Sequence, residues 1–302
     1  MLKQRIITGI FLFLFLFFLI FLFSIIEIAQ TTKQNLLILL GFFFIVLSNK
    51  EIFTMFEKEK KIKLNHKIFI LILSIIVFLF SLLRWLNNDT NISNQKNSII
   101  QCLSIFFLFI ILLLLIFFVI YDNFTAKDLG INFIIIFYIS IGTSSFLSFF
   151  INNKIFFWYI ILITVLTDIF SFLTGSLFGK KKIFPNISPN KTLEGYIYGS
   201  ILSTFIVCSI FFVYYKKIFF ITTYKIINIY FFIIFTFFNS IMAQIGDLIN
   251  SKFKRNYNIK DFGKLLPGHG GLLDRFDSLL FISLFINFIF QLNIFTFNNI
   301  NN

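Results

Sequence analysis

Apolar stretches about as long as a bilayer is thick recur along this chain, and they limit its fold more than any other feature. A bilayer core accommodates about 20 residues of helix, and in lipid the backbone N–H and C=O groups must find their partners inside the segment itself. The first stretch, Ile6 to Ile28, carries no charge before Glu27. Nine spans are expected, at approximately 6–28, 34–49, 67–86, 99–121, 131–152, 155–179, 192–215, 227–250 and 277–297. The expected fold is therefore all-α: a polytopic transmembrane helical protein forming one membrane domain over residues 1–302. Within it, 1–150 carries little specific signal, and 155–297 holds the region of candidate functional residues, with motif loops 180–195 and 247–277.

Hydrophobic residues make up 58% of the 302, above the 45–50% or so of soluble domains. The net charge of +13 raises the question of nucleic acid. In a membrane protein, Lys and Arg collect in cytoplasmic loops and face anionic headgroups, so the expected partner is the lipid bilayer and no nucleic acid is expected. Lys3 and Arg5 put the N-terminus in the cytoplasm. Nine alternating spans then bring the six lysines of Lys50–Lys67 and the basic loops 180–191 and 251–276 to the same side, while Lys216 and Lys217 fall outside. The apolar run after Arg5 is too long for a signal peptide and lacks a small-residue cleavage site, so it reads as a retained span. Cys102 and Cys208 both lie in apolar helices and give no disulfide framework.

A chain so rich in Phe (51 residues) keeps few Pro and Gly, and keeps them together. All three prolines and nine of the thirteen glycines lie between Gly175 and Gly271. Six of the thirteen acids, Asp168, Glu194, Asp247, Asp261, Asp274 and Asp277, fall in or beside the same segments. Asp168 lies inside the sixth apolar stretch. An ionised carboxylate there costs at least ~2.5 kcal/mol, so it needs a cavity, a cation or a helix–helix hydrogen bond. Asp247, Ser251 and Lys254 stand at i, i+4 and i+7, one helix face, which also suits a solvated helix end. Asp274 and Asp277, at i and i+3, open the ninth span. One of them could simply cap the helix, but two on one face beside Arg275 suggest a divalent cation. Hard oxygen ligands of this kind suit Mg2+, which takes substrate phosphates as further ligands.

Tight backbone and basic groups surround these acids. In SPNKTLEG (Ser188–Gly195), Thr192 is a candidate N-cap, and Lys191 with the first helical N–H groups would hold an anion. In LLPGHGGLLDR (Leu265–Arg275), Gly268, Gly270 and Gly271 would let backbone amides approach a phosphate. The pairs Gly175/Gly179 and Gly195/Gly199 have the spacing of close helix packing. His66, Asp89 and Asp128 read as solvated surface.

The segment SKFKRNYNIKDFGKLLPGHGGLLDRFD (Ser251–Asp277) resembles the signature of the phosphatidate cytidylyltransferase family, also called CDP-diacylglycerol synthase. The residues that fit are Ser251, Lys254, Arg255, Lys260, Asp261, Gly263, Pro267, His269, Gly270, Gly271, Asp274, Arg275 and Asp277. SPNKTLEG is similar to the family's Ser-Pro-x-Lys-Thr-x-x-Gly, and Asp168 stands at the Asp of its Asp-x-x-Ala-Tyr segment, with Ser171 and Phe172 in place of Ala and Tyr. The resemblance implies transfer of the CMP moiety of CTP to phosphatidate, giving CDP-diacylglycerol and pyrophosphate, with Mg2+ required and K+ as an additional candidate. It implies a multi-pass inner-membrane protein, and a homodimer stays among the candidate partners.

On this reading Asp247, Asp274 and Asp277 are expected at Mg2+. Lys254, Arg255, Lys260 and Arg275 are expected at phosphates, and Ser188, Lys191, Thr192, Ser251, Gly270 and Gly271 at substrate. His269 either contacts phosphate or orders the Gly-Gly turn; Asp168 and Asp261 are further candidates. Two alternatives remain: a CTP-dependent polyprenol or phytol kinase, which would release CDP, and a membrane anion transporter, which would consume no CTP.

Overall fold

The computed structural model describes residues 30–59, 62–86, 106–116, 118–119, 125–214, 225–263, 265 and 270–291. The first expected span and Lys264, Pro267, Gly268 and His269 lie outside the described residues. The described elements are α1 (Gln30–Phe56), α2 (Leu64–Leu86), α3 (Phe106–Ile116) and α4 (Ala126–Phe133), followed by a π-helical segment (Ile134–Ile139). After them come α5 (Ser140–Asn152), α6 (Lys154–Phe178), α7 (Leu193–Tyr214), α8 (Lys225–Asn256) and α9 (Leu273–Gln291). Among the described residues the extended pairing is one isolated antiparallel bridge, Lys182 to Thr192.

Six of these stretches are long and apolar enough to cross a membrane: Asn35–Phe56, Leu64–Leu83, Asp128–Asn152, Lys154–Phe178, Leu193–Val213 and Ile229–Asn256. They correspond to six of the nine expected spans. The ninth matches α9, and the fourth overlaps the shorter apolar helix α3. Large apolar side chains such as Leu39, Phe43, Phe172, Leu177, Phe205 and Ile234 stay exposed, as lipid-facing helices require. The chain is a multi-pass membrane protein.

Three boundaries differ from expectation. The segment from Lys50 was expected to be loop, but α1 continues to Phe56 because Ile52, Phe53, Met55 and Phe56 are buried against Tyr257, Ile259, Phe262 and Leu273. Helix α8 runs six residues past its expected end and closes at Asn258, whose φ of 54° is left-handed. The Asn258 N–H donates to the Arg255 carbonyl and the Ile259 N–H to the Lys254 carbonyl (both 3.0 Å), the paired bonds of a Schellman motif. Helix α9 starts at Leu273, so Asp274 and Asp277 fall in its first two turns.

Two large apolar cores result, with a small third cluster of Ile45, Phe78 and Leu82 between α1 and α2. One joins α1, α2, α3 and the π-helical segment to residues 253–280; the other joins α5, α6, α7, α8 and α9. Polar side chains tie the helices where lipid offers no hydrophobic drive: Asn49 donates to Ser74, Ser81 to Ser144 (both 2.7 Å) and Thr167 to Ser203 (3.1 Å). Such bonds contribute on the order of 0.6 kcal/mol each. The most extensive helix pairing is α6 with α7. Its glycines explain it: a Cβ on Gly199 would stand 2.6 Å from the Ser171 Cα, and one on Gly195 2.8 Å from the Ser171 carbonyl oxygen.

Candidate active site

The short connection between α6 and α7 is folded back on itself. The Leu193 N–H donates to the Lys181 carbonyl (2.8 Å) and the Ile183 N–H to the Lys191 carbonyl (3.3 Å). Glu194 accepts from the N–H groups of Lys180 (3.0 Å) and Lys181 (3.1 Å). Thr192 is the N-cap of α7, as expected, its hydroxyl accepting the Gly195 N–H at 3.2 Å. This geometry projects Lys191 toward α8, where its ammonium pairs with Asp247 and lies 5.5 Å from the Tyr196 ring centroid. Ser251, one turn on, donates to the other Asp247 oxygen at 3.3 Å. Both members of the ion pair remain about a quarter exposed (24% and 26%), so the pair is reachable.

Lys254, the third residue of that face, turns to a different partner. Its ammonium donates to Asp274 Oδ1 at 2.7 Å and lies 5.2 Å from the Phe262 ring centroid, with the two charged side chains only 11% and 4% exposed. Asp274 Oδ2 accepts the N–H groups of Phe262 (2.9 Å) and Gly271 (2.8 Å). Asp274 thus holds the turn that enters α9, and a metal role for it would require Oδ1 to exchange Lys254 for the cation. The Gly271 N–H, expected to face a phosphate, donates inward to Asp274. Gly270 takes φ +88°, the left-handed region, with Asp261 beside it.

Asp277 is buried, and the hydrogen bonds to its carboxylate, from the N–H (2.7 Å) and hydroxyl (3.3 Å) of Ser278, all reach Oδ1. Its carbonyl accepts from the Tyr138 hydroxyl (3.1 Å), which itself receives the Asn250 amide (3.4 Å). Asp168 is exposed on α6. It interacts electrostatically with Asp247, Asp277, Lys191 and Arg275, and Asp277 does so with Asp247, Lys254 and Asp274. Three helices, α6, α8 and α9, and the α6–α7 loop therefore bring acids and bases to one place.

Of the other expected residues, Arg255 fastens two loops together. Its Nε donates to the Ile187 carbonyl (3.2 Å) and its Nη1 to the Ile259 carbonyl (3.0 Å). Ser188 is half-buried in the loop Arg255 holds, while Lys260 and Asp261 are exposed. Next to this face, burial first, then the charges of Glu59 and Asp128, push the Tyr257 phenol up to about 12. It is neutral at physiological pH and acts by packing edge-on against Phe56.

Sequence reading passed over Glu51. It is 3% exposed, and its two oxygens accept the N–H groups of Leu272 (2.7 Å) and Leu273 (2.9 Å) at the start of α9. The available signal was an acid placed next to the buried apolar run that closes α1.

The donor set fits Mg2+. Asp168, Asp247 and Asp277 repel one another, and the opposing cations are Lys191 and Arg275 at Asp168 and Lys254 at Asp277. Among the described residues no three His, Cys, Asp or Glu side chains form a ready-made cage, and Mg2+ is usually held by one or two carboxylates with substrate phosphates and water.

Comparison with known proteins agrees with the motif reading. The chain matches the Cytidylyltransferase family over residues 3–293. It is 37% identical over 169 residues to the phosphatidate cytidylyltransferase of Staphylococcus haemolyticus (strain JCSC1435), 56% of this chain and 61% of that protein. To the enzymes of the same name from Staphylococcus aureus (strain COL) and Bacillus subtilis (strain 168) it is 40% identical, over 132 and 126 residues. Those alignments span 43% and 42% of this chain, and 47% and 44% of the relatives. The chain thus aligns with about half the length of these curated relatives. With a match running through nearly the whole sequence, both motif loops included, the chain belongs to the cytidylyltransferase family.

Proposed function

We propose that this protein transfers the CMP moiety of CTP to phosphatidate, releasing pyrophosphate, as an inner-membrane enzyme of phospholipid synthesis. The observation that carries the reading is the meeting of Lys191, Asp247, Asp277, Asp168 and Arg275 beside a helical membrane core. A lipid phosphate is already a competent nucleophile, so the difficulty lies in bringing two polyanions together rather than in covalent activation. One oxygen of the phosphatidate phosphate attacks the α-phosphorus of CTP, the bond from that phosphorus to the β-bridging oxygen breaks, and pyrophosphate leaves with the electron pair.

Lys191 and Arg275 hold phosphate oxygens against the repulsion of the two substrates. Lys191 is suited to this because it already bridges the α6–α7 loop to Asp247 while part of it remains exposed. Asp247 and Asp277, with Asp168 beside them, would hold Mg2+, which neutralises developing charge on the nucleotide phosphates; K+ is a second candidate cation. Asp274 with Lys254, and Arg255 with its two carbonyl partners, keep the loops in place. No general base is needed, because phosphatidate is ionised at neutral pH.

The test uses membranes expressing the full chain with phosphatidate, labelled CTP and Mg2+. Liponucleotide and pyrophosphate should form together, and both should be lost with EDTA and in Asp247→Asn. Release of CDP with a phosphorylated alcohol would replace this reading with the kinase. Transmembrane anion flux without CTP consumption would replace it with transport.

A further inference from the structure

We infer that Glu51 is a positioning residue for the catalytic turn, acting through the N-terminus of α9 although it sits in the first described helix, 221 residues away in sequence from Leu272. The inference rests on the proposed site lying at this turn. The start of a helix leaves backbone N–H groups without intrahelical partners, and such an end readily binds an anion. Here that position is filled from within the chain. Glu51 Oε1 takes the Leu272 N–H and Oε2 the Leu273 N–H, while Asp274 takes the N–H of Gly271.

The glycines of the signature fit around this carboxylate. A Cβ on Gly271 would stand 2.6 Å from both Glu51 oxygens, and one on Gly263 2.6 Å from Oε1. Two glycines from separate parts of the signature loop therefore leave room for the same side chain. Those glycines bring backbone close to Glu51, and Glu51 in turn fixes where Asp274 and Asp277 begin their helix. The carboxylate matters, because each N–H has its own oxygen. A Gln would keep one acceptor and turn its NH2 group on the other N–H, while an Asp keeps the charge on a shorter arm.

The full chain, purified in nanodiscs, is compared with Glu51→Gln and Glu51→Asp. Glu57→Gln, which removes an exposed acid six residues on, just past the end of α1 and paired with Lys67, serves as control. Two readouts are taken: hydrogen exchange of the amides of Gly271–Leu273, and the Mg2+ and CTP dependence of liponucleotide formation. Glu51→Gln is expected to lose amide protection at Gly271–Leu273. It should also raise the half-saturating Mg2+ or the KM for CTP by roughly ten-fold or more, the range for a lost ligand-orienting contact. Glu51→Asp should fall between wild type and Glu51→Gln, and Glu57→Gln should match wild type.

A merely structural role would lower the yield of active enzyme and leave both concentration dependences unchanged, and that result overturns the inference. If Glu51→Gln fails to insert, Glu51→Asp is judged by the same two readouts. A wild type without turnover refutes the proposed reaction but leaves the exchange test standing. Wild-type protection of Gly271–Leu273 in Glu51→Gln would then overturn the positioning role.

Discussion

At the scale of single residues, the Lys254–Asp274 pair is a close, buried contact between opposite charges. Both side chains are nearly out of reach of solvent, and Asp274 adds two backbone donors to the lysine. Removing one partner of a buried pair strands the other charge, at a cost of about 3–5 kcal/mol, whereas replacing both with apolar groups is often neutral. Asp274→Asn and Lys254→Met should each lower thermal stability in detergent by that order, and each should abolish most turnover. The double variant Lys254→Met/Asp274→Asn should be clearly more stable than the sum of the two single losses predicts. Additive losses in the thermal unfolding series would mean that the pair is not the coupled unit the geometry describes. The same residues mark the limit of sequence reading. Ser251 on Asp247 follows from helical spacing alone, because both lie on one face. Lys254 shares that face, but its partner lies 20 residues on, across a chain reversal. Glu51 is harder still, because its meaning comes only from N–H groups more than two hundred residues away.

At the scale of elements, the pairing of α6 with α7 depends on close backbone approach, which the two GxxxG pairs made legible in advance. Gly199→Ala places a methyl carbon 2.6 Å from a backbone atom of Ser171, so the helices must separate. Overpacking of this kind costs about 1–3 kcal/mol, and here it also shifts the loop that presents Lys191. Gly130→Ala provides the contrast. Nothing lies within 4 Å of its added carbon, and a helical Gly-to-Ala change is worth up to about 1 kcal/mol in favour of the fold. Thermal unfolding in one detergent should therefore move in opposite directions for the two variants, and a stabilised Gly199→Ala would contradict the close-packing account. The lengths of α1 and α8 were less legible. Hydropathy falls at Lys50 and at Asn250, yet both helices continue because their last turns pack under the signature loop. The stop at Asn258 is a backbone event that hydropathy does not register, although Asn is a residue type that such stops favour.

At the scale of the whole molecule, the two basic loops must face one compartment, and this follows from contacts rather than from charge counting alone. Arg255, at the end of α8, donates to the Ile187 carbonyl in the α6–α7 loop, and Lys191 of that loop pairs with Asp247 on α8. Two loops joined in this way lie on one side of the membrane whatever the number of spans before them. The positive-inside rule, applied to the lysines of Lys180–Lys182 and of 252–260, predicts the cytoplasm for that side, as the proposed reaction with CTP requires. Single cysteines at Asn186 and Asn258, in a chain with Cys102 and Cys208 replaced by serine, would report this directly. In intact cells a membrane-impermeant maleimide should label neither position, and in inverted vesicles it should label both. Labelling of one position but not the other would break the contact network that joins the loops. Labelling of both from outside would leave the site intact but place it away from its nucleotide, and would defeat the proposed reaction.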